Sequence, residues 1–466
     1  MSTITESDES EDAEKYEQSR VYNWLDDRLD LNEEFLGKAF PEDRYASFLL
    51  GEVSLFTFVI LVLTGTFLGM LYRPGAADTT YQGIVAGYAG TEVPMAFASV
   101  LRITYDVPMG MFIRMVHHWG AYLFVAAMGL HMLRVFFSGA YRNPRELNWV
   151  VGSTLLFLGI GEGFMGYALP FDEYGATATG IGFTVAGSIP VIGETLTKIL
   201  FGGMWPDNAA VILPRMFFYH VFLLPLIIGG LIAVHMLLLI RQKHTDQEGS
   251  RDEEADVEAD DESIVTGVPL VPNQIAVTLI VFLSVFGMLA LLAGFFPVQR
   301  LPVWGPNDPF STPAGVAPDW YFMWVFGILK VIPGFIPRGE FVAGVVAPGI
   351  IATVLIAWPF IDYKKEAVHF TADPIKRPFQ TAVGVGSITF IIMLSIAAMN
   401  STVGTLLRVD TAVASNYLLY ATIIVPIVWG IITYFVLKRG VERRESSNAV
   451  PTDDDTDTAN TATSDD

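Results

Sequence analysis

The sequence has 466 residues, of which 52% are hydrophobic, and its mean hydropathy is +0.45. Apolar runs of about twenty residues recur along it, which excludes an ordinary water-soluble protein and predicts a polytopic membrane protein. The sequence contains no cysteine, so disulfides, thiolate clusters and covalently attached c-type haem are excluded. Any iron–sulfur centre must therefore belong to another subunit.

The net charge of −21 is concentrated in three acidic segments: the N-terminal tail, the run 246–262 with ten carboxylates and one arginine, and the tail after Pro451. Blocks of like charge are usually solvated and without fixed structure. We therefore predict disordered tails at 1–20 and 441–466 and an acidic cytoplasmic linker at 244–265. Repulsion within such segments is screened in a very salty cytoplasm, so we also expect a halophilic, haloarchaeal source.

Taken in chain order, the sequence predicts an amphipathic surface helix at 21–35 and then eight transmembrane spans. The spans are predicted at about 48–71, 112–137, 149–168, 216–240, 273–295, 341–361, 381–399 and 415–437. Residues 76–111 are predicted to form a loop with short helical turns. Two longer excursions, 171–213 with two weak helical patterns and the proline-rich 296–340, separate other spans.

Clusters of arginine and lysine follow the second, fourth, sixth and eighth spans. Because positive residues favour the cytoplasmic side, we expect both termini and the linker to be cytoplasmic and both long excursions to lie on the outer side. The linker divides the chain into an N-terminal half at 21–243 and a C-terminal half at 266–440. The predicted fold class is an all-α membrane protein: a four-helix N-terminal bundle, with room in its core for cofactors, followed by a second four-helix half.

Two of the predicted spans carry matched pairs of histidines. His117 and His131 are fourteen residues apart, and His220 and His235 are fifteen apart. Fourteen residues of α-helix rise about 21 Å and complete almost four turns, so both imidazoles of a pair lie on roughly one face. Ionisable side chains inside a membrane are costly and usually functional. The pairs predict two stacked b-type haems, each held by one histidine from each helix.

Alternative roles for the histidines fit the pattern less well. A lone buried histidine is more often a hydrogen-bonded core residue, but two pairs at matched spacing argue against this. Zinc is disfavoured because the layers are about 20 Å apart and each offers only two imidazoles. His118 points about 100° away from His117 on the helix and is interpreted as a non-ligand. His244 and His369 fall in predicted cytoplasmic loops.

Glycines recur on the neighbouring spans at the period of the histidines. Gly51 and Gly65 on the first span, and Gly152 and Gly166 on the third, are each fourteen residues apart. A flat macrocycle packed against a helix needs positions without a Cβ, so these glycines are predicted to face the haem planes. Ordinary small-residue helix packing would explain any one of them.

Successive spans cross the membrane in opposite directions, and this assigns each histidine to one of the two haem layers. The outer haem is assigned to His117 and His220, and the inner haem to His131 and His235. Arg114 and Arg134 are candidates for charge-assisted hydrogen bonds to haem propionates, although Arg134 could instead anchor its helix at the membrane interface.

Several motifs resemble cytochrome b of the quinol-oxidising cytochrome bc complexes. They are the Arg114–His117 and His131–Arg134 pairs, YRNPRELNWVVG at 141–152, MGYALP at 165–170, SIPVIG at 188–193, NDPFSTP at 307–313 and PDWYFMWVFGILK at 318–330. The resemblance covers roughly residues 21–400. The fifteen-residue histidine spacing and PRELNWVVG are most similar to the photosynthetic branch, in which the two halves are separate chains.

The resemblance implies a quinol site on the outer side, between the two long excursions. Pro318, Trp320 and Tyr167 would bind the quinol, with Asp319 and Tyr321 as catalytic residues. A partly buried carboxylate has a raised pKa and can accept a proton, although an aspartate after proline could instead only cap a helix. Arg241 is the candidate for a cytoplasmic quinone site, or is simply a positive-inside anchor.

The implied function is that of a quinol oxidoreductase subunit. One electron would pass to a Rieske iron–sulfur protein and then to cytochrome c or a small copper protein. The second would cross the membrane through two non-covalent haems and reduce quinone, with protons released outside and taken up inside. The resemblance further implies menaquinone as the quinone and a homodimeric complex among the lipids of the plasma membrane, without a nucleic-acid partner.

The sequence departs from the family in three places. The photosynthetic branch attaches an extra haem through a cysteine on the first span; Leu49 stands near that place, so no covalently attached haem is expected. The quinol motif PEWY of the family reads PDWY here, and Asp319 is one methylene shorter. The eighth span is an addition to the short photosynthetic second chain.

Two other functions remain open at this point. A di-haem membrane anchor of a dehydrogenase or reductase would share the histidine pairs but would not need PDWY or the second half. A transporter could use the histidines to relay protons, and an absorption spectrum would separate that function from both haem proteins.

Overall fold

The computed structural model describes residues 39–40, 49–207, 209–242, 268–269, 275–298, 301–308, 310, 316–365 and 370–448. The predicted N-terminal tail, the surface helix at 21–35, the acidic linker and the end of the C-terminal tail lie outside these residues. His244 and His369 lie outside them as well.

Eight helices in the described part of the chain are long and apolar enough to cross a membrane. They are span 1 (Leu49–Leu71), span 2 (Gly110–Ser138), span 3 (Glu146–Ala168), span 4 (Ala209–Leu239), span 5 (Ile275–Phe295), span 6 (Gly339–Ile361), span 7 (Pro378–Ala397) and span 8 (Thr411–Arg444). Their places confirm the eight predicted spans and the predicted fold class. The chain is a mostly helical, multi-pass membrane protein.

Span 4 begins seven residues before its predicted start at 216. It consists of an α-helix at Ala209–Phe218 with Pro214 inside it, a π-helical turn at Tyr219–Leu223 and an α-helix at Leu224–Gln242. Proline is tolerated inside transmembrane helices because neighbouring groups satisfy the backbone that it frees. The π-helical turn contains His220, and such turns are frequent at functional sites.

Span 8 continues to Asn448, so the prediction of a disordered tail from residue 441 is wrong for its first eight residues. Residues 441–445 (VERRE) contain good helix formers, which favour continuation beyond the apolar run. Arg444 also forms a salt bridge with Asp373, which holds the helix end against the chain before span 7. The rest of the tail lies outside the described residues.

Residues 76–111 contain a strand pair that the sequence analysis missed. Asp78–Thr80 pairs antiparallel with Glu92–Pro94, and a helix follows at Met95–Leu101 before a π-helical turn at Arg102–Asp106. Strands of three residues are too short to show a period of two. A second short antiparallel pair joins Ala39–Phe40 and Val268–Pro269.

The long excursions contain short helices. The first has Glu173–Gly187 and Gly193–Leu200, as its two weak patterns predicted; the second has Leu301–Trp304, a 3-10 turn at Trp320–Phe322 and Met323–Val331. Beyond the excursions, span 6 opens with a short α-helical stretch at Gly339–Phe341 and a π-helical turn at Val342–Val346 before Ala347–Ile361. A 3-10 turn at Pro374–Lys376 precedes span 7, and Asn400–Leu407 connects span 7 to span 8.

Hydrogen bonds join the two excursions along a short antiparallel stretch. The Asn307 N–H donates to the Phe171 carbonyl (3.2 Å), and the Glu173 N–H donates to the Gly305 carbonyl (3.2 Å). The Asp308 N–H donates to Oε1 of Glu173 (2.6 Å). The expectation that the two excursions lie together is therefore confirmed.

Helix packing places the histidine-bearing spans inside a bundle. Span 1 packs along span 2, and span 3 along span 4. In the second half, span 7 packs along span 8 and along the helix Met323–Val331. Span 6 also lies against span 3, and span 7 against span 2, so the C-terminal half covers one side of the histidine bundle.

Candidate functional site: two histidine layers and a buried aspartate

The four predicted histidines form two facing pairs between spans 2 and 4. The ring centroids of His117 and His220 are 6.1 Å apart, and those of His131 and His235 are 6.5 Å apart. The rings of each pair are nearly perpendicular, at 83° and 80°. The pairing matches the layers expected from antiparallel threading.

Each of the four predicted glycines faces one of these histidines. The distance from an ideal Cβ at the glycine to the imidazole Cε1 is 3.1 Å for Gly65 and His117, 2.7 Å for Gly166 and His220, 3.4 Å for Gly51 and His131, and 3.2 Å for Gly152 and His235. A methyl group at these positions would therefore crowd the imidazoles. The glycines leave spans 1 and 3 flat beside each layer, which fits a planar macrocycle packed there.

The Nδ1 atoms of the four imidazoles have different surroundings. Thr64 Oγ1 lies 2.9 Å from Nδ1 of His117, and Glu162 Oε1 lies 2.8 Å from Nδ1 of His220. The buried Nδ1 atoms of His131 and His235 have no side-chain partner among the described residues. The Nδ1 atom of His131, which has no hydrogen-bond partner among the described residues, argues against the alternative of four hydrogen-bonded core histidines.

The outer histidine layer borders a cavity of about 220 Å³. Its lining includes His117, His220, Gly65, Gly166, Arg114 and Asp319. Arg114 is buried. Its guanidinium charge therefore acts on groups in this cavity more strongly than it would across bulk water. Near the inner layer, the Arg134 guanidinium stacks over the Phe370 ring, 5.1 Å from the ring centroid.

His118 turns away from the histidine pairs, as predicted from its helical position. Its ring packs edge-on against Tyr122 at 4.7 Å, although it still borders the same cavity. Among the described residues, no group of three or more histidine, cysteine, aspartate or glutamate side chains could hold a metal ion. The geometry thus favours two-histidine ligation of a haem over a zinc site.

Asp319 lies in a cluster of tyrosines. The Tyr122 hydroxyl donates to Oδ1 (2.8 Å) and the Tyr321 hydroxyl to Oδ2 (3.3 Å). Tyr174 also hydrogen-bonds to the carboxyl group, and its ring packs against Tyr167 at 5.2 Å. The Asp319 side chain makes no capping bond to the 3-10 turn that follows, which removes the helix-cap alternative.

The cluster perturbs the protonation of its members. Burial raises the pKa of the Asp319 carboxyl, while the hydrogen bonds from the three tyrosines act in the opposite direction. The pKa of Tyr321 is raised well above its ordinary value, first by burial and then by the nearby charge of Asp319. Tyr321 therefore stays a neutral hydrogen-bond donor, and Asp319 is the titratable group of the cluster.

A second cavity, of about 470 Å³ and mostly apolar, lies between the two excursions and spans 3 and 6. Pro318, Phe322, Tyr167 and Tyr174 line it. Asp319 itself borders the histidine cavity, so the segment 318–322 forms a wall between the two cavities.

One residue predicted to bind quinol, Trp320, is not brought to these cavities, and Arg241 was predicted for a separate cytoplasmic site. Trp320 is 50% exposed and lines neither cavity; its ring packs edge-on against that of Tyr321. Arg241 is exposed at the C-terminal end of span 4. The other predicted site residues all lie in the histidine layers or the aspartate cluster.

Sequence reasoning missed four residues that complete these sites: Thr64, Tyr122, Glu162 and Tyr174. Glu162 carried a usable signal, because a carboxylate in the interior of an apolar span is costly and usually functional. The threonine and the tyrosines had none, since both types are common in membrane helices for packing or interface contacts.

Asp172 is a further buried carboxylate, fully enclosed at the junction of the excursions. Burial raises its pKa to about 6, against a lowering contribution from the Gly175 N–H and the Arg114 charge. Its Oδ1 accepts the Gly175 N–H (2.8 Å), so it caps the helix Glu173–Gly187. It fixes the start of the helix that carries Tyr174.

Two protein-family models match consecutive parts of the chain. The model described as "Cytochrome b(N-terminal)/b6/petB" matches residues 122–306, and the one described as "Cytochrome b(C-terminal)/b6/petD" matches residues 306–418. A chain of a solved hyperthermophilic respiratory complex III has the same fold, with a TM-score of 0.66 and 23% identity. That likeness covers 88% of this chain and 99% of the solved chain.

Curated relatives match at higher identity. The cytochrome bc1 complex cytochrome b subunit of Mycobacterium leprae is 35% identical, covering 86% of this chain and 72% of the relative. The subunit of the same name from Streptomyces coelicolor is 34% identical, covering 92% of this chain and 79% of the relative. The chain therefore belongs to the cytochrome b family, with the N-terminal and C-terminal regions of that family joined in one polypeptide.

Proposed function

We propose that this chain is the cytochrome b subunit of a bc1-type complex that oxidises quinol at one side of the membrane and carries electrons across it. The observation that supports this most directly is the wall at 318–322, which separates an apolar cavity from the outer histidine layer. A quinol-oxidising site needs a proton acceptor between the quinol pocket and the electron carrier, and the position of Asp319 in this wall supports that role for it.

Two non-covalent b-type haems would be held by the histidine layers. His117 and His220 would hold the outer haem, with Gly65 and Gly166 beside it. His131 and His235 would hold the inner haem, with Gly51 and Gly152 beside it. Bound haem supplies one-electron redox chemistry at its iron. Arg114 and Arg134 would donate hydrogen bonds to the propionates.

The apolar cavity between the excursions would take the quinol ring, and we propose menaquinone. Asp319 would accept the proton of the quinol hydroxyl, since its raised pKa keeps it near the range in which a carboxylate is an effective base. Tyr321 would hold the carboxylate in place through its hydroxyl. The first electron would go to a Rieske iron–sulfur protein and then to cytochrome c or a small copper protein.

The second electron would cross from the outer to the inner histidine layer, and two such electrons, from two quinols, would reduce one quinone to quinol near Arg241 at the cytoplasmic end of span 4. Moving one charge across the membrane stores about 2.3 kcal/mol per 100 mV. This proposal places both termini in the cytoplasm and the chain in a homodimeric, lipid-surrounded complex of the plasma membrane. A di-haem anchor subunit would have no use for the Asp319 cluster, which favours quinol oxidation.

The haem assignment is tested by an absorption spectrum of the purified complex and of two variants. His131→Ala should lose the inner haem and keep the outer one at least partly assembled, because only the inner layer uses this imidazole. His118→Ala, a neighbouring histidine of the same span, is the matched control and should keep both haems. A His131→Ala variant with two distinct b-haem bands would contradict the assignment, and a native protein without haem bands would contradict the function.

A further inference from the structure

Glu162 is a carboxylate in the interior of span 3, with a side chain that is 18% exposed. Oε1 lies 2.8 Å and the Glu162 backbone carbonyl oxygen 3.2 Å from Nδ1 of His220, while Oε2 is buried without a hydrogen-bond partner among the described residues. The residue also borders the outer histidine cavity. A carboxylate inside a membrane span is costly, so this placement calls for a function. The proposed proton and electron route does not yet use it.

The contact distinguishes His220 from the three other histidines. His117 meets the neutral hydroxyl of Thr64, which itself donates to the carbonyl of Ile60 (2.7 Å) and can accept the imidazole N–H. His131 and His235 have no carboxylate partner in the described part of the chain. The carboxylate contact is thus confined to one ligand of the outer layer.

Two glycines follow Glu162 closely on span 3. Gly163 follows it, and an ideal Cβ there would lie 2.5 Å from the Tyr321 hydroxyl. Four residues beyond Glu162, Gly166 lies against Cε1 of His220. One turn of span 3 therefore places the Glu162 carboxylate beside Nδ1 of His220, and the Gly166 backbone, which has no Cβ, beside its Cε1.

A carboxylate that accepts the N–H of a ligating imidazole fixes the ring orientation and makes the other nitrogen a stronger donor. Hydrogen bonding around an iron ligand and nearby charge are among the main determinants of haem potential. Both effects of Glu162 stabilise the oxidised iron, because negative charge favours the more positive metal.

Resting on the proposed function, we propose that Glu162 is a positioning residue for His220 that lowers the reduction potential of the outer haem relative to the inner one. This difference in reduction potential makes electron transfer from the outer haem to the inner haem energetically downhill. It is built from one side chain that contacts one of the four ligands.

The test is a potentiometric titration of the haems in the intact complex, with native protein, Glu162→Gln and Thr64→Val. Glutamine keeps the size and an acceptor oxygen but removes the charge. We expect the outer-haem equilibrium to shift at least tenfold toward the reduced form, which is about 59 mV for one electron. The inner haem is the internal control and should not move. Thr64→Val removes a neutral partner from the other outer ligand and should shift the potential less.

An electron paramagnetic resonance spectrum of the oxidised outer haem gives a second readout, since its g values respond to the donor strength of the imidazole. An unchanged outer potential in Glu162→Gln, with both haems present, would overturn the inference and leave the proposed function intact. If Glu162→Gln lost the outer haem, Glu162→Asp would decide, because the shorter side chain draws both the hydrogen-bond acceptor and the negative charge away from Nδ1 of His220. A raised potential there supports the inference, and an unchanged one overturns it.

Discussion

Asp319 combines two features that a solvent-exposed turn aspartate lacks. It is enclosed by three tyrosine hydroxyls, and its side chain makes no capping hydrogen bond to the backbone of the turn that begins beside it. The shorter side chain in place of the family's usual glutamate is accommodated because Tyr122 reaches the carboxylate from span 2 and Tyr321 from the 3-10 turn. The carboxylate is thus positioned by hydroxyl donors and not by a helix terminus.

Asp319→Asn should slow quinol oxidation about 100-fold, at the low end of the range for loss of a positioned acid–base group. The amide keeps the size and can still accept hydrogen bonds from the tyrosines, so haem content should be unchanged. Steady-state quinol oxidation by the intact complex measures the effect, with dithionite reduction as the haem control. Asp308→Asn, an exposed aspartate of the same excursion, should retain native activity. Equal rates in native protein and Asp319→Asn would show that the proton acceptor is another group.

The pH dependence of quinol oxidation provides an independent test of the role of Asp319. A base must be deprotonated to accept a proton, so the native rate should rise as the pH passes through the raised pKa of Asp319. The step should be missing in Asp319→Asn, which lacks the titrating group. A rate profile that keeps the same step in the variant would assign it to a different residue.

At the scale of elements, the C-terminal end of span 2 is held by the other half of the chain. The Arg377 Nη1 group donates to the carbonyls of Phe136 (2.9 Å) and Phe137 (3.3 Å), and the Thr371 N–H donates to the Ser138 carbonyl (3.0 Å). These are among the last carbonyls of a helix, which have no partners within it. A positive charge there also complements the helix dipole.

Gly139 makes this contact possible. Its φ of +72° is left-handed and favours glycine at a helix end, and an ideal Cβ there would lie 2.5 Å from Nη1 of Arg377. The other side of the guanidinium donates from Nη2 to the Tyr141 hydroxyl (2.7 Å) and to Oδ2 of Asp362 (2.8 Å). Tyr141 in turn donates to Asp362, and Trp358 donates to Tyr141.

Arg377→Met should destabilise the protein by about 3–5 kcal/mol, because removing one partner leaves the buried charge of Asp362 uncompensated. Methionine keeps much of the length and apolar stem, so the loss reports the guanidinium. Thermal unfolding of the detergent-solubilised protein, followed by the absorption of the inner haem, measures it. Arg443→Met, an exposed arginine of span 8, is the control and should change stability by less than about 0.5 kcal/mol. Equal melting temperatures for Arg377→Met and native protein would contradict a stabilising role.

At the scale of the whole molecule, repeated sequence patterns allowed much of the architecture to be predicted from the sequence. Eight apolar runs predicted the spans, and the shared fourteen-residue period of His117, Gly65 and their counterparts predicted the two layers. What could not be predicted depends on contacts between distant segments. Glu162 beside His220, Tyr122 beside Asp319 and Arg377 beside Phe136 each join residues from different segments, and no local pattern encodes those pairings. The strand pair at 78–94 was missed because its strands are too short to show a period.

Three tryptophans bridge the two halves through their indole N–H groups. Trp119 donates to the Phe296 carbonyl, Trp149 to the Leu355 carbonyl and Trp358 to the Tyr141 hydroxyl, at 2.7–2.8 Å. The Arg377 contacts and the bonds between the excursions add to them. Each such bond contributes about 0.5–1.5 kcal/mol, and those to charged groups contribute more. The halves are therefore connected by many hydrogen bonds besides the linker.

The chain should consequently assemble when it is cut inside the acidic linker. Residues 1–254 and 255–466, co-expressed as two polypeptides, should co-purify through a tag on either one and show two b-type haems. The acidic segment between the halves is polar and lies outside every span, so cutting it removes none of the interhalf bonds. Arg377→Met in the second polypeptide should reduce the co-purified fraction, because covalent linkage no longer compensates for the weaker contact. Two halves that fail to co-purify with native sequences would show that the linker itself holds them together.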